Sequence, residues 1–146
     1  MSAREWLTRG VAALSPIDAF TDYWRGFNNL YGSIPGNELS KIRSFLTANV
    51  PPAAATTMLT AHPVQVAYLL SQPVIDMRGT GRDAADAIAA FHASTDPLAK
   101  LCEVFAVIYQ VRCNLQHGQK SPTVDRDVRL CECSAPLTAA VVARSV

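Results

Sequence analysis

The residues with the clearest chemical potential are Arg112 and His117, one arginine and one histidine separated by four residues. Arg112 falls on an apolar stripe formed by Leu98, Leu101, Phe105 and Ile108 and continued by Leu115. A guanidinium on such a stripe costs several kcal/mol unless something pairs with it. Either Arg112 has a partner, or that face is not simply core. His117 directly precedes Gly118, a helix-stopping position. The negative end of the helix dipole favours its imidazolium form, and a neighbouring arginine opposes it. An imidazole under two opposing influences suits proton transfer near neutrality. A planar guanidinium beside it suits a phosphate, whose oxygens it can bind in pairs. By spacing alone the plainer reading stands: Arg112 as a structural anchor and His117 as a helix cap.

The other candidate groups are weaker. Cys102, Cys113, Cys131 and Cys133 have irregular spacing, and Cys131-x-Cys133 is too close for the usual zinc hook. His62 and His92 show no paired ligand spacing. We therefore expect buried thiols in a reducing compartment, with no disulfide framework, no metal and no cofactor. Gly79-Thr80-Gly81 lacks the third glycine and the preceding strand of a phosphate cradle, so it reads as a turn. Asp83 and Asp86 suit the first turn of a helix, as solvated acids.

The elements that must position these groups are helical. The chain has 146 residues, 49% of them hydrophobic and 17% charged, with a net charge of +1. That composition excludes global disorder and a strongly basic nucleic-acid coat, while leaving room for a local basic patch. No apolar run is long enough for a membrane span. The stretch Val11–Leu14 behind Arg4, Glu5 and Arg9 is too short for a signal-peptide core, so a cytoplasmic protein is expected.

Alanine is the commonest residue and helix punctuation is frequent. A first helix spans 3–14. Ser15-Pro16 opens a second, whose Phe20, Trp24, Phe27, Leu30 and Tyr31 share one face. Asn37 caps a third, over Glu38–Ala48, and short helices follow at 53–60 and 64–71. A loop covers Gln72–Arg82, and Asp83–Ala93 is an alanine-rich helix. Asp96-Pro97 opens the longest helix, running to Gln116, and Asp125 or Thr123 caps a last one to Arg144. The expected architecture is one all-α domain over 1–146, an up-and-down bundle of five to seven helices.

The string Val111-Arg112-Cys113-Asn114-Leu115-Gln116-His117-Gly118-Gln119-Lys120 resembles the signature of HEPN domains, in which Arg-x4-His lies within a sequence like V-R-N-N-L-x-H-G-x-K. A second patch, Phe20-x3-Trp24-x2-Phe27-Asn28-Asn29-Leu30-Tyr31-Gly32, is similar to a W-x-x-F-N-x-L-Y pattern in an early helix of many such domains. Residues 35–100 match only in being helical. Cys113 departs from the pattern, because the residue after the motif arginine is usually polar.

The resemblance implies a metal-independent RNA endonuclease of toxin or phage-defence type, with two Arg-x4-His motifs meeting at a homodimer interface. Leu101, Phe105 and Ile108 would then line that interface. His117 would act as acid or base, Arg112 would stabilise the transition state, and Asn114 would orient substrate or His117. Lys120, Arg126 and Arg129 would track the RNA backbone. Apart from the resemblance, Trp24 and Phe27 read as core residues and Asn28 as a buried amide tying helices together. An antitoxin or regulatory protein is the implied partner. The alternative is a catalytically inactive module of the same fold that binds RNA, nucleotide or a partner protein.

Overall fold

Proline and capping side chains cut the chain into helices at the points where the backbone needs a partner. The structure, a computed structural model, describes residues 1–76, 78–117 and 125–146. Its described residues form eight α-helices and no strand: α1 (Ala3–Ala12), α2 (Pro16–Tyr31), α3 (Glu38–Asn49), α4 (Pro52–Ala61), α5 (Pro63–Leu69), α6 (Arg82–Ala93), α7 (Pro97–Gln116) and α8 (Asp125–Arg144). Ser2 and Glu5 form a reciprocal capping box on α1. Ser15 accepts from the Asp18 N–H, Asn37 from Ser40 and Asp96 from Leu98, each satisfying an N–H that the helix cannot. Eight helices exceed the expected five to seven. Pro52 and Pro63 each open a helix of their own, since a proline offers no N–H to continue the one before. Among the described residues, no helix is long and apolar enough to cross a membrane.

Two kinds of packing hold the bundle together. Helices α1, α2 and α8 approach closely because a small residue sits where they meet. A Cβ built at Gly26 of α2 would lie 3.2 Å from the Ala3 carbonyl oxygen, 3.3 Å from Trp6 Cβ and 3.4 Å from Val142 Cγ1. Helix α7 meets α2 differently, through aromatic rings. Phe27 and Phe105 stand edge to face with centroids 5.3 Å apart, and Trp24 and Tyr109 lie 6.3 Å apart. Within α2, Trp24, Phe27 and Tyr31 continue the ring cluster at 4.9–6.2 Å.

Leu101, Phe105 and Ile108 are fully buried in this core. The stripe expected to line a dimer interface is therefore the inner face of α7. It is already covered by the chain's own helices, and Arg112 lies where it runs out. Trp24 and Phe27 are core residues, as expected. All four cysteines are thiols, with Cys113 half-buried and the others buried.

Phe27 is the hub of the ring cluster, touching Trp24, Tyr31, Phe45 and Phe105. Replacing it by alanine leaves a cavity that rigid neighbours cannot fill. Phe27→Ala should cost about 3–5 kcal/mol in urea unfolding, and a cost below about 1 kcal/mol would contradict this packing.

Candidate functional site

Arg112 leaves the apolar core on the side of α7 that faces α2. Tyr109, Arg112 and Gln116 lie at i, i+3 and i+7, one face of α7. Trp24, Asn28 and Tyr31 lie at i, i+4 and i+7, likewise one face of α2. Together with Glu38, the first residue of α3, these six residues enclose a cleft of about 360 Å³. A second cleft of about 350 Å³ adjoins it towards α1, and adds Met1, Trp6, Arg25 and Asn29. Trp24, Asn28 and Arg112 line both, so the guanidinium stands between the two lobes. The two sequence patches that carry the HEPN resemblance thus face each other across one groove. Asn28 is exposed in that groove and is not the buried amide expected of it.

The arginine is under-used by its surroundings. Its Nη1 donates to Gln116 Oε1 at a weak 3.4 Å, and its Nε is buried without a hydrogen-bond partner. Among the described residues no carboxylate lies within ion-pair distance of it. A buried N–H without an acceptor costs about 1–3 kcal/mol, which a bound anion or acceptor would recover.

Opposite, the Tyr31 hydroxyl donates to Glu38 Oε2 at 2.8 Å. Burial, assisted by the Glu38 carboxylate, pushes the Tyr31 phenol well above its ordinary range, so it stays a neutral donor. Burial likewise raises the Cys113 thiol against the hydrogen bond from Tyr109, which keeps it protonated at neutral pH. That is the reverse of what a nucleophilic cysteine needs.

The other expected site residues fall elsewhere. His117 caps α7, its side chain is exposed, and it lines neither lobe. Five helical residues place it about 140° round from Arg112. Asn114 is buried on the far side of α7 from Arg112. Its Nδ2 donates to the Ile75 carbonyl at 2.6 Å, and its Oδ1 accepts from Gln110 at 2.8 Å. Both ends of the amide are engaged, one on the Ile75 carbonyl and the other on Gln110 of α7, so the orienting role expected of it does not fit this geometry. The signal was in the spacing: Val107, Val111 and Asn114 share one buried face.

Arg126 donates to the Gln72 carbonyl at 3.3 Å, and with Arg129 it flanks the Tyr68 ring at 5.6 and 5.5 Å. Arg129 also pairs with Glu132 at 3.5 Å. Neither arginine lines the Arg112 groove. Lys120 lies outside the described residues, as does Thr123.

The 72–81 loop is built around one carboxylate. Asp76 accepts from the Arg78 and Thr80 backbone N–H groups at 2.9 and 3.1 Å, and from the Arg78 guanidinium at 2.8 Å. The arginine first, and then the Thr80 donors, hold its pKa down at about 2 against the effect of burial. Gly79 has φ +79°, which a turn of this kind requires. The Gly79-Thr80-Gly81 stretch is thus a carboxylate-centred turn, as its spacing suggested. Among the described residues, no three of His, Cys, Asp and Glu converge as a cation site would need.

No protein-family model, curated protein or solved structure matches the chain.

The Asn114 geometry makes a prediction that separates structure from chemistry. Asn114→Ala should lower unfolding stability by about 1–3 kcal/mol, because two hydrogen bonds worth about 0.5–1.5 kcal/mol each, to the Ile75 carbonyl and from Gln110, are lost. Hydrogen exchange over residues 74–81 should speed up. An unchanged stability, measured by urea titration, would show that the loop does not depend on this amide.

Proposed function

We propose that the chain is a metal-independent RNA endonuclease of the HEPN type, acting through Arg112 and His117, in the manner of a toxin or phage-defence enzyme. The observation that carries the reading is the groove between α2 and α7. There a guanidinium without a carboxylate partner meets Trp24 and Asn28 of the second resembling patch. In the proposed reaction the ribose 2′-oxygen attacks the adjacent phosphorus and the bond to the 5′-oxygen breaks. The products are a 2′,3′-cyclic phosphate and a 5′-hydroxyl. His117 takes the 2′-hydroxyl proton or supplies one to the leaving oxygen. Arg112 meets the charge that develops on the phosphoryl oxygens.

Within one copy, Arg112 lines the α2 groove and His117, exposed at the end of α7, does not. A homodimer resolves this by bringing the histidine of one copy to the arginine of the other. Its interface cannot be the Leu101–Ile108 stripe. It has to form around the exposed C-terminal end of α7. An antitoxin or regulatory protein would act by covering that end.

Labelled RNA incubated with the wild type should be cut in the presence of EDTA, leave the end groups above, and leave DNA intact for want of a 2′-hydroxyl. His117→Ala and Arg112→Ala should each lower the rate about 10²–10⁴-fold without unfolding the chain. Cutting of DNA, dependence on a divalent metal, or full activity in His117→Ala would overturn the mechanism. A folded wild type that cuts no RNA would favour the binding-module alternative.

A further inference from the structure

The groove around Arg112 has two chemically different ends. The end toward α1 carries Arg25 beside Arg112, with the amides of Asn28 and Asn29. Arg25 is only loosely neutralised: its Nη1 lies 3.4 Å from Asp22 Oδ1 and its guanidinium rests 4.9 Å from the Trp6 ring centroid. The end toward α3 carries the Glu38 carboxylate, with Gln116 and the half-buried ring of Tyr109. Glu38 Oε2 accepts from Tyr31, while among the described residues Oε1 has only Lys41 at 3.8 Å, so the carboxylate keeps free acceptor capacity. One end therefore suits an anion and the other suits a group that presents hydrogen-bond donors. Arg25 and Tyr31 are six residues apart on α2, about 9 Å along the helix. That is the scale of a single nucleotide from its phosphate to its base edge.

We propose that this groove selects guanosine in the RNA, holding the phosphate between Arg25 and Arg112 and the guanine edge against Glu38. The inference rests on RNA being the substrate. Guanine presents two adjacent donors, N1–H and the 2-amino group, and a carboxylate offers two acceptor oxygens and no donor. Adenine and cytosine place an acceptor beside their single amino group, and uracil flanks its one N–H with two carbonyls, so each of them sets an acceptor against the carboxylate. Single-stranded RNA is commonly read in this way, on the Watson–Crick edge of an unstacked base lying against an aromatic ring, here Tyr109.

The test is calorimetric titration of the full chain with guanosine, adenosine, cytidine and uridine 5′-monophosphates at one ionic strength. GMP should bind about tenfold or more tighter than the others, the discrimination usual for a well-placed bidentate pair. Glu38→Gln keeps an acceptor for Tyr31 but puts a donor into the site, and should reduce GMP to the level of AMP. Arg112→Ala should weaken all four nucleotides by a similar factor. Equal binding of the four, no binding of any, or a guanine preference that survives Glu38→Gln would overturn the proposal. The comparison among nucleotides with the wild type decides it even if a variant fails to fold. Because binding is read without cleavage, the two readings fail separately. Guanine preference without RNA cutting removes the ribonuclease, and RNA cutting without base preference removes only the selectivity.

Discussion

Rings, not backbones, join α2 to α7, and the groove around Arg112 exists because of that spacing. Where α1, α2 and α8 meet, Gly26 lets backbone and side chains approach to ordinary contact. Where α2 meets α7, the contact is Phe27 on Phe105 and Trp24 near Tyr109. Aromatic side chains set a wider separation than small ones, and edge-to-face rings at 5–6 Å fill it only as far as the rings extend. Beyond Trp24 and Tyr109 the filling stops and the helices stay apart. Polar residues then line the remaining space. The same residues that stabilise the core thus hold open the groove beside it.

Arg112 sits at that boundary. A guanidinium with a buried, unpartnered Nε and one weak bond to Gln116 makes a poor structural anchor, because an anchor satisfies its donors. Asn114, two residues on, is the contrast: both ends of its amide are bonded and it ties α7 to the 72–81 loop. The two residues share a helix, and the structure uses one of them for support and leaves the other open to a ligand. Arg126 and Arg129 resemble Asn114 in this respect, since both are engaged around Tyr68.

Most of the helices were legible because their ends carry explicit chemistry. Ser15, Asn37 and Asp96 cap helices with their own side chains, and Pro16 and Pro97 stand at the first turn of theirs. The candidate site was legible only in part. Arg112 stood out because a charge on an apolar stripe demands a reason. The stripe itself was misread, because apolar periodicity is the same whether a face is covered by the chain's own helices or by a partner. Asn28 was misread as buried, since its neighbours Phe27 and Tyr31 are core residues while it lies one step round the helix, in the groove. Glu38, Tyr109 and Gln116 carried no signal individually. They matter only because three helices bring them to one place, and no spacing along a single helix reports that.

The central claim is that Arg112 of one copy and His117 of another form one RNA-cleaving site. The most direct measurement is complementation between Arg112→Ala and His117→Ala, each inactive alone, co-expressed in one cell and purified together. In a two-fold dimer, half of the randomly paired molecules carry one intact site out of two, so activity should return to about a quarter of wild type. A mixture no more active than either variant alone would contradict the shared site.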